Sequence, residues 1–101
     1  MPCLYIAQGV GGLIKAGMTS NIKNRLGCLR WSFRKYGDQL ARYTTCEELE
    51  SIGYAERDAQ YELAQLASKR IGREWFHGVN FDEAVSIARA QTALAKQKAE
   101  A

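Results

Sequence analysis

The stretch "LYIAQGVGGLIKAGMT" (residues 4–19) sets two short β-prone runs on either side of a glycine-rich break, with Tyr5 in the first run and Lys15 in the second. Side chains alternate faces along a strand, and a one-residue slip of a hairpin exchanges the faces. If Tyr5 lies opposite Gly17 or opposite Lys15, then Leu4, Ile6, Ile14 and Ala16 share one face while Tyr5, Lys15 and Gly17 share the other. If Tyr5 lies opposite Ala16, the apolar residues of one run are mixed with the charge of the other. Burial favours the first arrangement, and a three-residue loop at Val10, Gly11 and Gly12, or a five-residue one, supplies it. A phenol and an ammonium then occupy one face. An ammonium within about 4–6 Å stabilises a phenolate, so Lys15 is expected to depress the Tyr5 pKa or to contact a bound anion. The plain alternative is a strand tyrosine beside a lysine that snorkels to an edge.

The next segment, "TSNIKNRLGCLRWSFRKYG" (residues 19–37), predicts a helix capped by Thr19 or Ser20 and closed at Gly37. Ile22, Leu26, Leu29, Phe33 and Tyr36 recur at helical spacing and make its inner stripe. Arg25 borders that stripe, where a guanidinium can grip a phosphate or simply join a surface ion pair, whereas Lys23, Arg30 and Arg34 face outward. "QLARYTTC" (39–46) predicts a third strand. In the helix that follows, Ala55, Ala59, Leu63, Leu66 and Ala67 form the inner stripe and Gly72 follows its end. Glu56 and Glu62 border that stripe and need a cation, a donor or a metal, because an isolated buried charge is costly. Lys69, Arg57 or Arg70 could serve, and so could a magnesium ion. "EWFHGV" reads as a short aromatic segment. A last helix starts near Asn80 or Asp82 and carries Val85, Ala88, Thr92 and Ala95 on one side. His77, the sole histidine, reads as a surface residue or phosphate contact, not a metal ligand.

At 101 residues the chain has room for one domain, assigned here to residues 1–95, with a frayed tail at 96–101. No apolar run approaches the ~20 residues of a membrane span. The opening "MPCLYIAQ" lacks a signal peptide's pattern, and Cys3, Cys28 and Cys46 lack metal-site spacing, so reduced thiols and a cytoplasmic location are expected. The net charge of +3 is uneven: residues 1–46 carry seven of the lysines and arginines against Asp38 alone. Such a concentration suits a polyanion, although a solvated basic helix face would look the same.

Taken in order, "LYI", "IKAG", "NIKNRL", a helix with glutamates, "GREWF" and "FDEAVSIA" resemble the GIY-YIG nuclease superfamily over about residues 3–92, in particular the bacterial and phage branch with a K-I-G second half-motif and an E-W-F. The resemblance implies an α+β fold with a small three-stranded antiparallel sheet flanked by helices. It also implies an endonuclease that cuts DNA with a divalent metal, magnesium or manganese. By position, Tyr5 would be the general base, Lys15 would open the second half-motif, Gly17 would be its closing glycine, and Arg25 would hold the scissile phosphate. The metal-binding glutamate would fall at Ala59, which has no donor. Glu56 and Glu62 lie three residues to either side, and Glu56 is the preferred ligand. Lys23, Arg30, Trp31, Arg34 and Lys35 would track the DNA backbone, and cutting both strands would call for a homodimer. The alternative is a catalytically inactive nucleic-acid-binding module of the same fold.

Overall fold

The computed structural model describes residues 1–100. Strands β1 (Cys3–Gly9) and β2 (Ile14–Thr19) pair with Tyr5 opposite Gly17, Ile6 opposite Ala16 and Ala7 opposite Lys15. This is the register that burial favours. The loop is Val10–Gly12, closed by a hydrogen bond from the Gly9 amide to the Leu13 carbonyl at 2.9 Å. Gly12 takes the left-handed conformation at φ 95° that a three-residue loop requires. Leu4, Ile6, Ile14 and Ala16 pack on one side of the sheet, and Tyr5, Ala7 and Leu13 on the other.

Helix α1 (Ile22–Lys35) lays Leu29 and Phe33 on the Tyr5 side. Its cap is Asn21, whose side chain accepts from the Asn24 amide at 3.2 Å, and not Thr19 or Ser20. Thr19 instead accepts from the Asn21 amide, one step before the helix. Gly37 ends the segment at φ 76°. Strand β3 (Leu40–Thr45) then returns antiparallel to β1. Helices α2 (Ala55–Leu66) and α3 (Phe81–Glu100) cover the opposite face through Ala55, Ala59, Leu63, Phe81, Ala84, Val85 and Ala88. Asn80 caps α3, accepting from the Asp82 and Glu83 amides. Residues 96–100 of the expected tail are helical within α3, and Ala101 lies outside the described residues.

The fold is α+β, but the sheet has five strands instead of three. Lys69–Ile71 forms β4 and Trp75–His77 forms β5, giving the antiparallel order β3-β1-β2-β5-β4. Both added strands have three residues, too few for a period-two pattern to stand out. Gly72, at φ 61°, lies in the turn between them and does not follow α2 directly, because the chain becomes extended at Ala67. Leu66 is exposed, so the inner stripe of α2 ends one turn early. No helix among the described residues is long and apolar enough to cross a membrane.

A single carboxylate ties the hairpin tip to the end of α1. Asp38 accepts from the amides of Gly11 at 2.8 Å, Leu13 at 3.2 Å and Gln39 at 2.7 Å. A Cβ at Gly9 would lie 2.3 Å from that carboxylate, which explains a glycine there. Burial works against the charge on Asp38, but the Gly11, Gln39 and Leu13 amides outweigh it, and the pKa lies below the usual carboxylate value. Asp38→Ala should cost about 1–3 kcal/mol in urea unfolding at neutral pH. The sign follows from a depressed folded pKa: this stability is fully present above the unfolded value of about 3.9 and is lost as the pH falls through the folded one. The stability difference between the two proteins should therefore begin to shrink below pH ~4 and vanish only below the depressed folded pKa.

Candidate active site

Strand β2 is paired on the β5 side only at Ile14 and Lys15, and beyond them its edge has no strand neighbour. Other groups fill the gap. The Ala16 amide donates to the Glu74 carbonyl at 2.9 Å, and Gln60 Nε2 of α2 donates to the Ala16 carbonyl at 2.9 Å. Glu56 lies one helical turn before Gln60 and therefore on the same side of α2, beside the Met18 amide. Helix α2 thus hangs two polar side chains over the broken edge.

From the other side of the sheet Tyr5 reaches the same place. It is 2% exposed, and a Cβ at Gly17 would lie 2.5 Å from its hydroxyl oxygen. Only glycine opposite Tyr5 leaves room for the ring to lie across β2, which is the role of Gly17. The phenol is pushed up to about 12, first by burial, with Arg25 opposing the shift and Glu74 and Glu56 adding to it. Glu56 is also raised, first by burial and then by Glu74, against the opposing pull of Lys15, Arg25 and the Met18 amide. Tyr5, Arg25, Glu56, Glu74 and Lys15 therefore form one electrostatic cluster.

Lys15 has a different task from the expected one. Its ammonium binds the Glu74 carboxylate and lies 5.4 Å from the centre of the Trp75 ring. It is not among the charges that act on Tyr5, and the phenol is raised, not depressed. The cation beside Tyr5 is Arg25, exposed near the start of α1 in an open hollow with Thr19, Asn21 and Asn24. Glu62, the second candidate metal ligand, is excluded from the cluster: it is exposed and accepts a long hydrogen bond from Gln91 of α3 at 3.4 Å. Among the described residues, neither glutamate of α2 pairs with Lys69, Arg57 or Arg70. Lys23, Arg30, Trp31, Arg34 and Lys35 are all exposed along α1, with the Lys35 ammonium 5.8 Å from the Trp31 ring centre. His77 is half-buried in β5.

Glu74 and Gln60 are the residues that sequence reasoning missed. Glu74 stands in "GREWF", but its partner is 59 positions away, and only the pairing of β2 with β5 brings the two together. A charged residue directly before an aromatic strand pair was the available signal.

The donor set can be weighed for a divalent ion. Glu56 is raised first by burial and then by Glu74, and a cation beside it would favour its charged form. Magnesium commonly takes one or two carboxylates and completes its shell with water and phosphate. Among the described residues no group of three or more His, Cys, Asp or Glu side chains could enclose a metal. The residues fit an ion shared with a substrate, not a closed cage.

These features define a small α+β domain with a charged cluster at a broken sheet edge. The chain belongs to the T5orf172 domain family, which matches residues 3–92. This corrects the resemblance to the GIY-YIG superfamily: the family that matches is a different one, and no GIY-YIG family matches. The pieces that carried the resemblance are short strand and helix patterns, and Ala59 already stood where its glutamate should be. No curated protein and no solved structure matches the chain.

The Lys15–Glu74 pair predicts an asymmetric response to mutation. Glu74→Ala leaves a largely buried ammonium unpaired and should cost about 1–3 kcal/mol in urea unfolding. Lys15→Met keeps the stem against Trp75 and removes the charge, so its cost should stay within about 1 kcal/mol.

Proposed function

We propose that this protein hydrolyses phosphodiester bonds in DNA with the help of a divalent cation, magnesium or manganese. One observation carries the reading: a guanidinium, a buried phenol and two carboxylates meet at the broken edge of β2. The basic face of α1 supports DNA as the substrate, since phosphate contacts supply most non-specific nucleic-acid affinity.

In this reading Arg25 grips the phosphate and stabilises the charge that develops on it. Glu56 holds the ion, because Glu74 is committed to Lys15. A divalent cation there supplies Lewis-acid polarisation of the phosphate oxygens. Tyr5 keeps its proton at neutral pH, with its pKa pushed up to about 12. It therefore orients the attacking water and relays a proton, accepting one as it releases its own toward a neighbouring carboxylate. Cuts in both strands call for two copies of the chain.

A second reading, a nucleic-acid-binding module without catalysis, is favoured by the engagement of Glu74 with Lys15 and by the lack of a three-ligand group among the described residues. Plasmid nicking with magnesium or manganese separates the two. Nicking should stop with chelator and fall about 100-fold or more in Arg25→Ala and Glu56→Ala. Tyr5→Phe should fall comparably, and Glu62→Ala should match the parent. Salt-sensitive DNA binding without nicking under any condition would leave the binding module, and absence of both would refute either reading.

A further inference from the structure

A second positive surface lies on the α2 side of the sheet, away from the basic face of α1. Arg57 of α2 and Arg73 of the β4–β5 turn line an open groove of about 480 Å³ together with Glu56 and Glu74. The same two arginines, with Arg70 and Tyr61, line an adjoining hollow. Among the described residues, Arg70 and Arg73 have no carboxylate within salt-bridge distance, and Arg57 reaches only its neighbour Asp58, at 3.7 Å. Three guanidinium groups line the hollow and no carboxylate does, so a chain of phosphates would complement its charge.

The hollow also has one aromatic wall, Tyr61, and Tyr54 lies outside it beside Arg57. Tyr61 is 68% exposed and Tyr54 69% exposed, and the Arg57 guanidinium carbon lies 4.2 Å from the centre of the Tyr54 ring. Tyr54, Arg57 and Tyr61 are three and four residues apart, so they form one ridge at the start of α2. Exposed rings and guanidinium planes in a positive groove are what unpaired bases stack on, whereas the bases of a duplex already stack on one another. The α1 face has the opposite emphasis, with Lys23, Arg30, Arg34 and Lys35 exposed around one aromatic ring, Trp31.

We infer that the hollow of Arg57, Arg70, Arg73 and Tyr61 binds an unpaired strand leading away from the Glu56–Glu74 groove, so that the preferred substrate is DNA with a single-stranded segment. The inference deepens the nuclease reading and rests on it for the cutting step, but not for the binding. Because α1 and α2 cover opposite faces of the sheet, duplex phosphates lie along Lys23, Arg30 and Arg34 while the unpaired strand passes over α2. The groove at the sheet edge stands between them.

The test is fluorescence anisotropy with the full chain in chelator. The probes are fluorescein-labelled oligothymidylate, a blunt duplex, and the same duplex with an unpaired oligothymidylate tail. Oligothymidylate and the tailed duplex should bind roughly tenfold more tightly than the blunt one. Arg70→Ala/Arg73→Ala should erase that preference and lower the salt slope on oligothymidylate by about 1.4, at ~0.7 per lost phosphate contact. Tyr61→Ala should weaken oligothymidylate several-fold with the slope unchanged, which a loss of charge alone would not do. Circular dichroism and Tm confirm that the variants fold. Equal affinity for all three probes, or variants that bind like the parent, would overturn the inference even if the plasmid is nicked. Tail preference without nicking would uphold it and remove the catalytic reading. Failure to bind any probe would overturn the inference, and only with no plasmid nicking as well would it overturn the nuclease reading.

Discussion

The contact between Tyr5 and Gly17 is the constraint from which the architecture follows. Pairing those two residues across the β1–β2 hairpin sends Leu4, Ile6, Ile14 and Ala16 to one face and the phenol to the other. The absent side chain at position 17 lets the ring lie over the neighbouring strand, where a Cβ would meet the hydroxyl at 2.5 Å. A slip by one residue would break both relations together: the apolar set would divide between the faces, and Tyr5 would face Ala16. Core packing and site geometry are therefore selected by the same register.

The second hairpin turns this arrangement into a site. β5 pairs with β2 for two residues only, enough to bury Phe76 on one face and Trp75 on the other, and then diverges. Trp75 receives the edge of Phe33 and the ring of Tyr36, each at 4.9 Å, so the aromatic group binds α1 to the short strand. Lys15 lies against the same indole and binds Glu74. The pair is structural in its packing, yet it places one carboxylate beside the phenol and leaves Glu56 as the other. Strand divergence leaves the Ala16 carbonyl without a strand partner on that side, and Gln60 satisfies it.

How much of this was legible in the sequence depended on the range of the interaction. The hairpin faces, the α1 stripe through Leu29 and Phe33, the third strand and the last helix depend on local periodicity, which a sequence displays directly. Tyr5, Arg25 and Glu56 could be singled out because each interrupts or borders such a pattern. Strands β4 and β5 could not, since three residues are too short to show alternation. Glu74 stayed hidden because its partner is distant in the chain, and Asp38 because its three bonds go to backbone amides that no residue type reveals. The electrostatic role given to Lys15 failed for a related reason: proximity on one strand face was legible, but the competing carboxylate was not. Glu62, the second choice after Glu56, lies apart because bordering a stripe does not say which border, and its side of α2 faces solvent beside Gln91 of α3.

The position of the cluster has a geometric cause. Helix α1 covers one face of the sheet and α2 with α3 the other, so neither face is open to a ligand. Only the edges and gaps between strands remain. The β3 edge presents Ala41, Arg42 and Tyr43 to solvent with no carboxylate cluster, and β4 is three residues long. The gap beyond Lys15 is different, because groups from both helical layers reach it: Arg25 from α1, Glu56 and Gln60 from α2. A phenol rooted in β1, the strand paired with β2, meets both sets there. The charged residues converge where the sheet comes apart because groups from both of its covered faces reach that gap.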